Sequence, residues 1–413
     1  MMDAAPGTPG PLAGVRVLDL SRILAAPTAT QLLGDLGADV VKIEHPRGGD
    51  DTRGWGPPFL KDSGGQDTRE SAYYLAANRN KRSVAVDIAT PEGQALVRDL
   101  ARDSDVMVEN FKVGGLAKYG LGYADMAAVN PRLVYCSITG FGQTGPYKDR
   151  AGYDFVAQGL GGIMSITGEA DGEPMKVGVG IADLMCGMYA TVAILAALRH
   201  RDLTGQGQSI DLSLLDTQVA WLVNAATYYF VSGQAPPRLG NAHPSVVPYN
   251  TYAASDGYVI LAIGNDRQFR AWCEHAGRPD VAADPRFATN QARIHDRAAL
   301  EPIMAATMLT RPRAAWIEGL AAAGVPCSAV NTIPELFEDE QVRHRGMRIE
   351  MPHPASATGE VSLLANPIKM SRTPPTYRAP PPRLGEHTDE VLTERLGLDA
   401  ARLAALRAAG VVG

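Results

Sequence analysis

From its beginning the chain alternates short runs of β-branched residues and leucine with longer stretches of helical spacing. GVRVLDL (residues 14–20) predicts a strand, PTATQLLGDLG (27–37) a helix with proline near its first turn, and ADVVKIE (38–44) a second strand, together a βαβ unit. Further strand-like runs follow at 83–88, 106–110 and 132–138, separated by helical patterns. In one of these, TPEGQALVRDLA, Thr90 is placed to cap the helix and Pro91 to open it. Short apolar strands alternating with helices predict a parallel α/β sheet.

Beyond Gly140 the pattern changes. Glycines cluster at 159, 161 and 162, a loop comes next around TGEADGEPMKVGVG, and a long apolar helix begins near Asp183. Its uncharged stretch, 184–198, spans about 22 Å as a helix against a hydrocarbon core of about 30 Å, which predicts a buried core helix and not a membrane span. A strand at 209–214 and another apolar helix come after it, and the Gly- and Pro-rich segment 232–245 marks an interior boundary. TYAASDGYVILAIG reads as a hairpin turning at Asp256 and Gly257, succeeded by helices to about Ala323. The proline-rich stretch 352–382 predicts an extended, surface-hugging segment before a short helical tail. The expected organisation is 1–231 as the first part of a large Rossmann-like domain, 232–335 as a smaller α+β domain with its linkers, and 336–413 as a return to the large domain.

Composition narrows the classes. A length of 413 residues predicts two to three domains, and 45% hydrophobic with 20% charged residues is the balance of a folded globular chain. The net charge of −6 disfavours nucleic acid as a partner. Cys136, Cys186, Cys273 and Cys327 lie far apart and read as reduced thiols. With no signal-peptide pattern in MMDAAPGTPGPLAG, a cytoplasmic location and no membrane partner are expected.

The absent signatures restrict the chemistry. SRILAAP stands after the first strand where a dinucleotide-binding sheet would carry GxGxxG, and no phosphate-binding GxxxxGK[ST] occurs. HExxH and GxSxG are missing and the eight histidines are scattered, so no metal site is predicted. Carboxylate chemistry remains. Asp183, between VGVG and the apolar helix, sits where an aspartate ordinarily caps a helix, and that environment is expected to keep it ionised at neutral pH. An ionised carboxylate with small neighbours also suits a nucleophile.

The stretch VKIEHPRGGDDTRGWGPPF, then NRNKRSVAVDIATPEGQALVRDLARDSDVMVENFKVGGLAKYGLGY, then GGIMSITG with VGVGIADLMCGMYATVAILAALRHRDLTGQGQSIDLSLLDT, closely resembles the family III CoA-transferases, the CaiB/BaiF family. The likeness runs from about Gly14 to LGEHTDEVL. It implies a reversible transfer of coenzyme A, as co-substrate with no tightly bound cofactor, from an acyl-CoA to a free acid, with Asp183 as the nucleophile. It also implies an interlocked homodimer with the active site between the large domain of one subunit and the small domain of the other. By resemblance, CoA contacts fall on Ile23, Leu24 and Ala25, His45 and Arg47, Val86 and Ala89, Asn110 and Phe111, Lys118, and Tyr153 with Asp154. His45 stands where relatives often carry arginine, and Arg47 is expected to supply the charge. The stretch from Lys42 to Arg82 carries more Lys and Arg than Asp and Glu, as a polyanionic ligand requires.

The segment LGNAHPSVVPYNTYAASDGYVILAIGNDRQF resembles relatives that use succinyl-CoA and small dicarboxylic acids. Candidate substrate contacts are Trp55, Arg238 and His243 with Asn241, and the loop Gly264, Asn265, Asp266, Arg267 and Gln268, which has fewer glycines than oxalate-type relatives. Each also has an ordinary role, as packing aromatic or solvated loop. Rival readings are an α-methylacyl-CoA racemase, a non-catalytic CoA-binding protein and a dehydratase. The racemase relatives carry His-Asp where Tyr153-Asp154 stands, and tyrosine is a poor base at neutral pH. For a dehydratase no elimination base is evident.

Overall fold

The computed structural model of the chain describes residues 9–413. Contacts divide it into two compact units. One comprises the chain up to Ile163, Val177–Val223 and Arg343–Gly413; the other comprises Met164–Lys176 and Asn224–Val342.

The first unit holds a six-stranded sheet: β1 (Arg16–Asp19), β2 (Asp39–Glu44), β3 (Lys81–Ala85), β4 (Val106–Glu109), β5 (Val134–Thr139) and β6 (Gln208–Ser213). The order is β3-β2-β1-β4-β5-β6 and every pair is parallel. The chain winds outward in one direction from β1 and in the other from β4. Between these two strands the C-terminal ends leave a crevice, the place where such sheets bind ligands.

The strands are apolar on both sides because helices cover both faces. Helices α1 (Ala25–Asp35), α2 (Pro91–Arg102), α3 (Tyr123–Val129), α4 (Asp154–Leu160) and α5 (Ile181–Thr204) belong to this unit. On one face Leu18, Val41, Val84, Met107 and Tyr135 pack against Leu96, Val97 and Leu100 of α2. On the other, Val17, Val40, Val106, Val108, Val134 and Cys136 meet the alanine-rich side of α1 and Ala182, Cys186, Ala190 and Ile194 of α5. Thr90 caps α2 as its spacing predicts, with Oγ1 accepting from the Gly93 N–H at 3.0 Å.

Small side chains let α1 and α5 approach closely. A Cβ on Gly187 would stand 2.6 Å from the Ala25 carbonyl oxygen. Helix α5 differs from the expected core helix, since Met188, Tyr189 and Val192 lie on an exposed side and Val192 is 61% exposed. Its sequence is apolar all round, so periodicity gave no sign of which side would stay open.

In the second unit β7 (Tyr249–Ala254), β8 (Gly257–Ala262) and β9 (Cys327–Ala329) form an antiparallel sheet. Gly257 pairs with Ala254, so the hairpin turns at Ser255 and Asp256, one residue earlier than expected. Trp272 of α6 (Asp266–His275), Met304 and Met308 of α7 (Arg297–Met308) and Trp316 of α8 (Arg313–Ala322) fill its core.

Back in the first unit, β10 (Arg348–Pro352) and β11 (Glu360–Leu364) pair as a hairpin, where the start of the proline-rich stretch was expected to be extended only. The rest of that stretch does run along the surface. Thr376 N–H donates to the Asp35 carbonyl at 2.8 Å, and Arg378 Nη2 to those of Gly34 at 2.7 Å and Ala38 at 2.9 Å. Helices α9 (Thr388–Leu396) and α10 (Ala400–Ala408) then insert Val391, Leu392, Leu403 and Leu406 into the core of the sheet.

The α1–α5 contact makes a prediction. Alanine is the better helix former by about 1 kcal/mol, yet the added methyl has to displace a backbone carbonyl. Gly187→Ala is therefore expected to lower stability by about 1–3 kcal/mol. Urea denaturation monitored by circular dichroism measures this, and an unchanged or raised midpoint would refute it.

Candidate active site

Asp183 is the third residue of α5, whose N-cap is Gly180. The cap has no side chain, so another element satisfies the first N–H groups of the helix. Asp154, the first residue of α4, does so: its Oδ1 accepts from Ala182 N–H at 2.8 Å and Asp183 N–H at 3.3 Å, and its Oδ2 accepts from Gln158 Nε2 at 2.7 Å. The carboxylate of Asp183 accepts no hydrogen bond among the described residues and is buried. Burial first, then the neighbouring Asp154 charge, pushes its pKa up to about 7. This corrects two expectations: Asp183 is not the cap, and it is not held fully ionised at neutral pH. The donors that would have stabilised its charge are taken by Asp154.

Asp183 opens into a cavity of about 190 Å³, lined by Ile23 and Ala25 after β1, Asn110 and Phe111 after β4, and Tyr153. Four cations also line it: Arg22, Lys112, Lys148 and Arg150. Arg22 pairs with Asp51 at 2.8 Å. A second cavity of about 460 Å³ is lined by His45, Gly48, Gly49, Val86, Ala89 and Tyr119, beyond β2 and β3. The two share Arg22, Asp51 and Phe111, at the crevice between β1 and β4. A buried carboxylate without donors, opening into a cavity whose wall also carries cations and which adjoins a larger one, suits nucleophilic attack on an elongated anionic substrate.

The model of CoA-transferase family III matches residues 12–388. The chain belongs to this family of CoA-transferases. It is 49% identical to a succinate–glutarate CoA-transferase of Agrobacterium fabrum over 95% of this chain and 98% of that one. It is 42% identical to a succinyl-CoA:glutarate CoA-transferase of Mus musculus, over 97% and 90% respectively. Among solved structures, a CaiB/BaiF family protein from Brucella suis superposes with a TM-score of 0.86 at 47% identity, covering 94% of this chain and all of that one.

In this CoA-transferase the residues singled out from sequence separate into groups. Ile23, Ala25, Asn110, Phe111, Tyr153 and Asp183 line the smaller cavity, and His45, Val86, Ala89 and again Phe111 line the larger. Tyr153 is 59% exposed and not buried as an ordinary packing tyrosine would be. Leu24, Arg47, Lys118 and Asp154 line neither: Leu24 turns toward Gly180, Lys118 lies over the Tyr119 ring at 4.5 Å, and Asp154 caps α5. His45 faces Asp87 at 3.9 Å. Trp55 sets its edge against Tyr73 with ring centroids 5.1 Å apart.

Arg238, His243, Gly264, Arg267 and Gln268 belong to the second unit. The Arg238 guanidinium donates to the carbonyls of Glu169 at 3.2 Å and Gly172 at 2.8 Å, while His243 Nδ1 accepts from Ser245 N–H at 3.1 Å. The expected loop at 264–268 is the start of α6, where Asn265 caps and Gln268 Oε1 accepts from Gly264 N–H at 2.9 Å. Arg267 is exposed there.

The local excess of Lys and Arg between 42 and 82 is not a ligand surface as a whole. Lys42, Arg53, Arg79 and Lys81 are buried and paired with Asp50, Glu44, Asp35 and Asp19. The cations that do line the smaller cavity, Arg22, Lys112, Lys148 and Arg150, were not singled out, since each stands in a loop of ordinary polar composition. Tyr73 was missed too; burial first, then the charges of Asp183 and Asp154, raises its hydroxyl pKa.

Two pH effects arise from Asp183. If its carboxylate is the reacting form, kcat/KM should rise with pH to a plateau above about 7. Asp154→Asn keeps a capping oxygen and removes the like charge, so the midpoint should move to lower pH; an unmoved midpoint would contradict the assignment. Because the folded pKa lies above the unfolded value of 3.8, the group's contribution to stability is complete below pH 3.8 and lost as pH rises through about 7. Asp183→Asn should therefore melt higher than the parent at pH 8, and the gap should close near pH 4.

Proposed function

We propose that this enzyme moves coenzyme A from succinyl-CoA to a small dicarboxylic acid, with Asp183 as the nucleophile. The observation that carries the chemistry is the buried, donor-free carboxylate of Asp183 in a cavity lined by cations. The substrate class rests on the relatives, whose names specify succinyl-CoA or succinate with glutarate, mesaconate and D-citramalate.

In this reading the Asp183 carboxylate attacks the thioester carbonyl, the carbon–sulfur bond breaks, and an aspartyl acyl anhydride forms as the CoA thiolate leaves. The thiolate attacks the aspartyl carbonyl, releasing succinate and leaving CoA as a thioester on Asp183. The acceptor's carboxylate then displaces the thiolate to form a second anhydride, and thiolate attack on the acceptor carbonyl yields the new CoA ester and frees Asp183. Activation is conserved at each step, which covalent catalysis makes possible for an acceptor too poor an electrophile to meet a thiol directly. The nucleotide end of CoA belongs in the larger cavity with His45, Val86 and Ala89, and the thioester end beside Ile23, Asn110 and Asp183.

The racemase reading loses support. Asp154, the counterpart of the acid–base dipeptide's aspartate, is committed to the α5 amides. The interlocked homodimer is part of this proposal, supported by the open apolar side of α5 and, in the second unit, by Phe230 and Val231, which are exposed.

Asp183→Ala should lower transfer by at least about 1,000-fold. Borohydride reduction after succinyl-CoA addition should modify Asp183 in the parent, by peptide mass spectrometry, and an unmodified Asp183 in active enzyme would overturn the covalent route. A panel of acids read by mass spectrometry of the CoA esters should favour dicarboxylates of four to six carbons. Exchange of the α-hydrogen of a 2-methylacyl-CoA in deuterated water without acceptor acid would restore the racemase.

A further inference from the structure

Ile23, on the wall of the Asp183 cavity, has φ of +75°. A β-branched residue rarely adopts this left-handed conformation, because its Cβ crowds the backbone there. Such a backbone persists only where its surroundings over-determine it. The surroundings here are side chains from two other elements. Asn110 grips the backbone of Arg22 from both sides, accepting from its N–H at 2.9 Å and donating to its carbonyl at 2.7 Å. Asp50 Oδ1 accepts from the Ile23 N–H itself at 3.1 Å.

Asp50 has little freedom. It is buried, its Oδ1 also takes the Thr52 N–H at 3.0 Å and hydroxyl at 2.7 Å, and its Oδ2 lies 2.9 Å from Lys42 Nζ. Lys42, fully buried on β2, donates to the Ser21 carbonyl at 2.6 Å, so the same cation grips both Asp50 and the residue that begins the turn. Burial alone would raise the Asp50 carboxyl pKa, but the Lys42 charge and the Thr52 N–H bring it down to about 2, so the acceptor stays charged.

The two residues after Ile23 face the nucleophile's helix. The Leu24 side chain lies 3.2 Å from where a Gly180 Cβ would be, and the Ala25 carbonyl abuts Gly187. Gly180 and Gly187 bracket Asp183 in sequence, so the path of residues 22–25 sets the spacing between the start of α1 and Asp183. We propose that Asp50, locked by Lys42, is a positioning residue for CoA transfer: it holds Ile23 left-handed and thereby fixes the start of α1 against the Asp183 turn. Asp50 borders the larger cavity, but its carboxylate is buried against the Ile23 and Thr52 N–H groups and Lys42, so Asp50 and Lys42 act through the backbone. Their effect falls on turnover, because Ile23 and Ala25 line the small cavity with Asp183 and not the larger one, which the turn meets only through Arg22. The inference rests on the placement of the reacting centre at Asp183, but its readout is the rate of CoA transfer, whichever intermediate carries it.

The test removes both buried charges together, so that neither is left unpaired. Lys42→Met/Asp50→Asn keeps an oxygen for the Ile23 N–H and should hold kcat within about 3-fold of the parent. Lys42→Met/Asp50→Leu has no acceptor and should lose about 30- to 100-fold in kcat, with KM for succinyl-CoA changed less than about 3-fold, at a similar melting temperature. Adding Ile23→Gly to that protein should recover at least about 10-fold, because glycine takes positive φ without cost. Equal kcat in the two double variants, or no recovery with glycine, would overturn the proposal. If the leucine variant does not fold, amide hydrogen exchange in the parent decides: an Ile23 N–H that exchanges as fast as an open loop defeats it, and strong protection supports it. Borohydride trapping on the same proteins reports on the Asp183 intermediate separately.

Discussion

Two hydrogen bonds at the start of α5 decide what Asp183 can do. A helix start offers unpaired N–H groups and positive potential, and either of two nearby carboxylates was placed to take them. Asp154 takes both. Asp183 is left desolvated beside a like charge, with a pKa pushed up to about 7. A more basic carboxylate is a stronger nucleophile, and at neutral pH a large share of it is still ionised. Had Asp183 capped its own helix, it would be charged at all physiological pH but weaker and already engaged.

The loops that carry this arrangement rest on buried charge as well as on apolar packing. Beneath the turn after β1 lie Lys42 with Asp50 and Lys81 with Asp19, and nearby Arg53 bridges Glu44 and Glu70. Such pairs add little net stability, because desolvation offsets attraction, but breaking one costs about 3–5 kcal/mol. They act as geometric pins. Burial of the β-branched strands against α1, α2, α5, α9 and α10 supplies the driving force, while the ion pairs select one path for residues 21–25 and 50–53 among those a purely apolar interior would tolerate.

Much of the fold was legible along the chain. The strands over 14–20, 38–44 and 106–110, the hairpin near 256 and the Thr90 cap each depend on neighbours a few residues away, and periodicity reads such neighbours directly. Features joining distant segments were not legible. The lysines and arginines between 42 and 82 look alike on paper, yet Lys42, Arg53, Arg79 and Lys81 are internal. Arg22, Lys112, Lys148 and Arg150 stand in unremarkable loops and come together only at the crevice. The hairpin of β10 and β11 escaped notice because prolines at 352 and 354 mask two short runs of alternating burial.

Asp183 shows the division most clearly. By itself the sequence placed it at a helix start behind glycines, inside motifs long enough to mark the family, and those are local properties of spacing and residue type. Its protonation, its lack of donors and the cavity it opens into depend on Asp154, Ile23 and Asn110, which are 29, 160 and 73 residues away along the chain. Only tertiary structure decides these, because burial and electrostatic coupling vary with distance in space, which separation along the chain does not report.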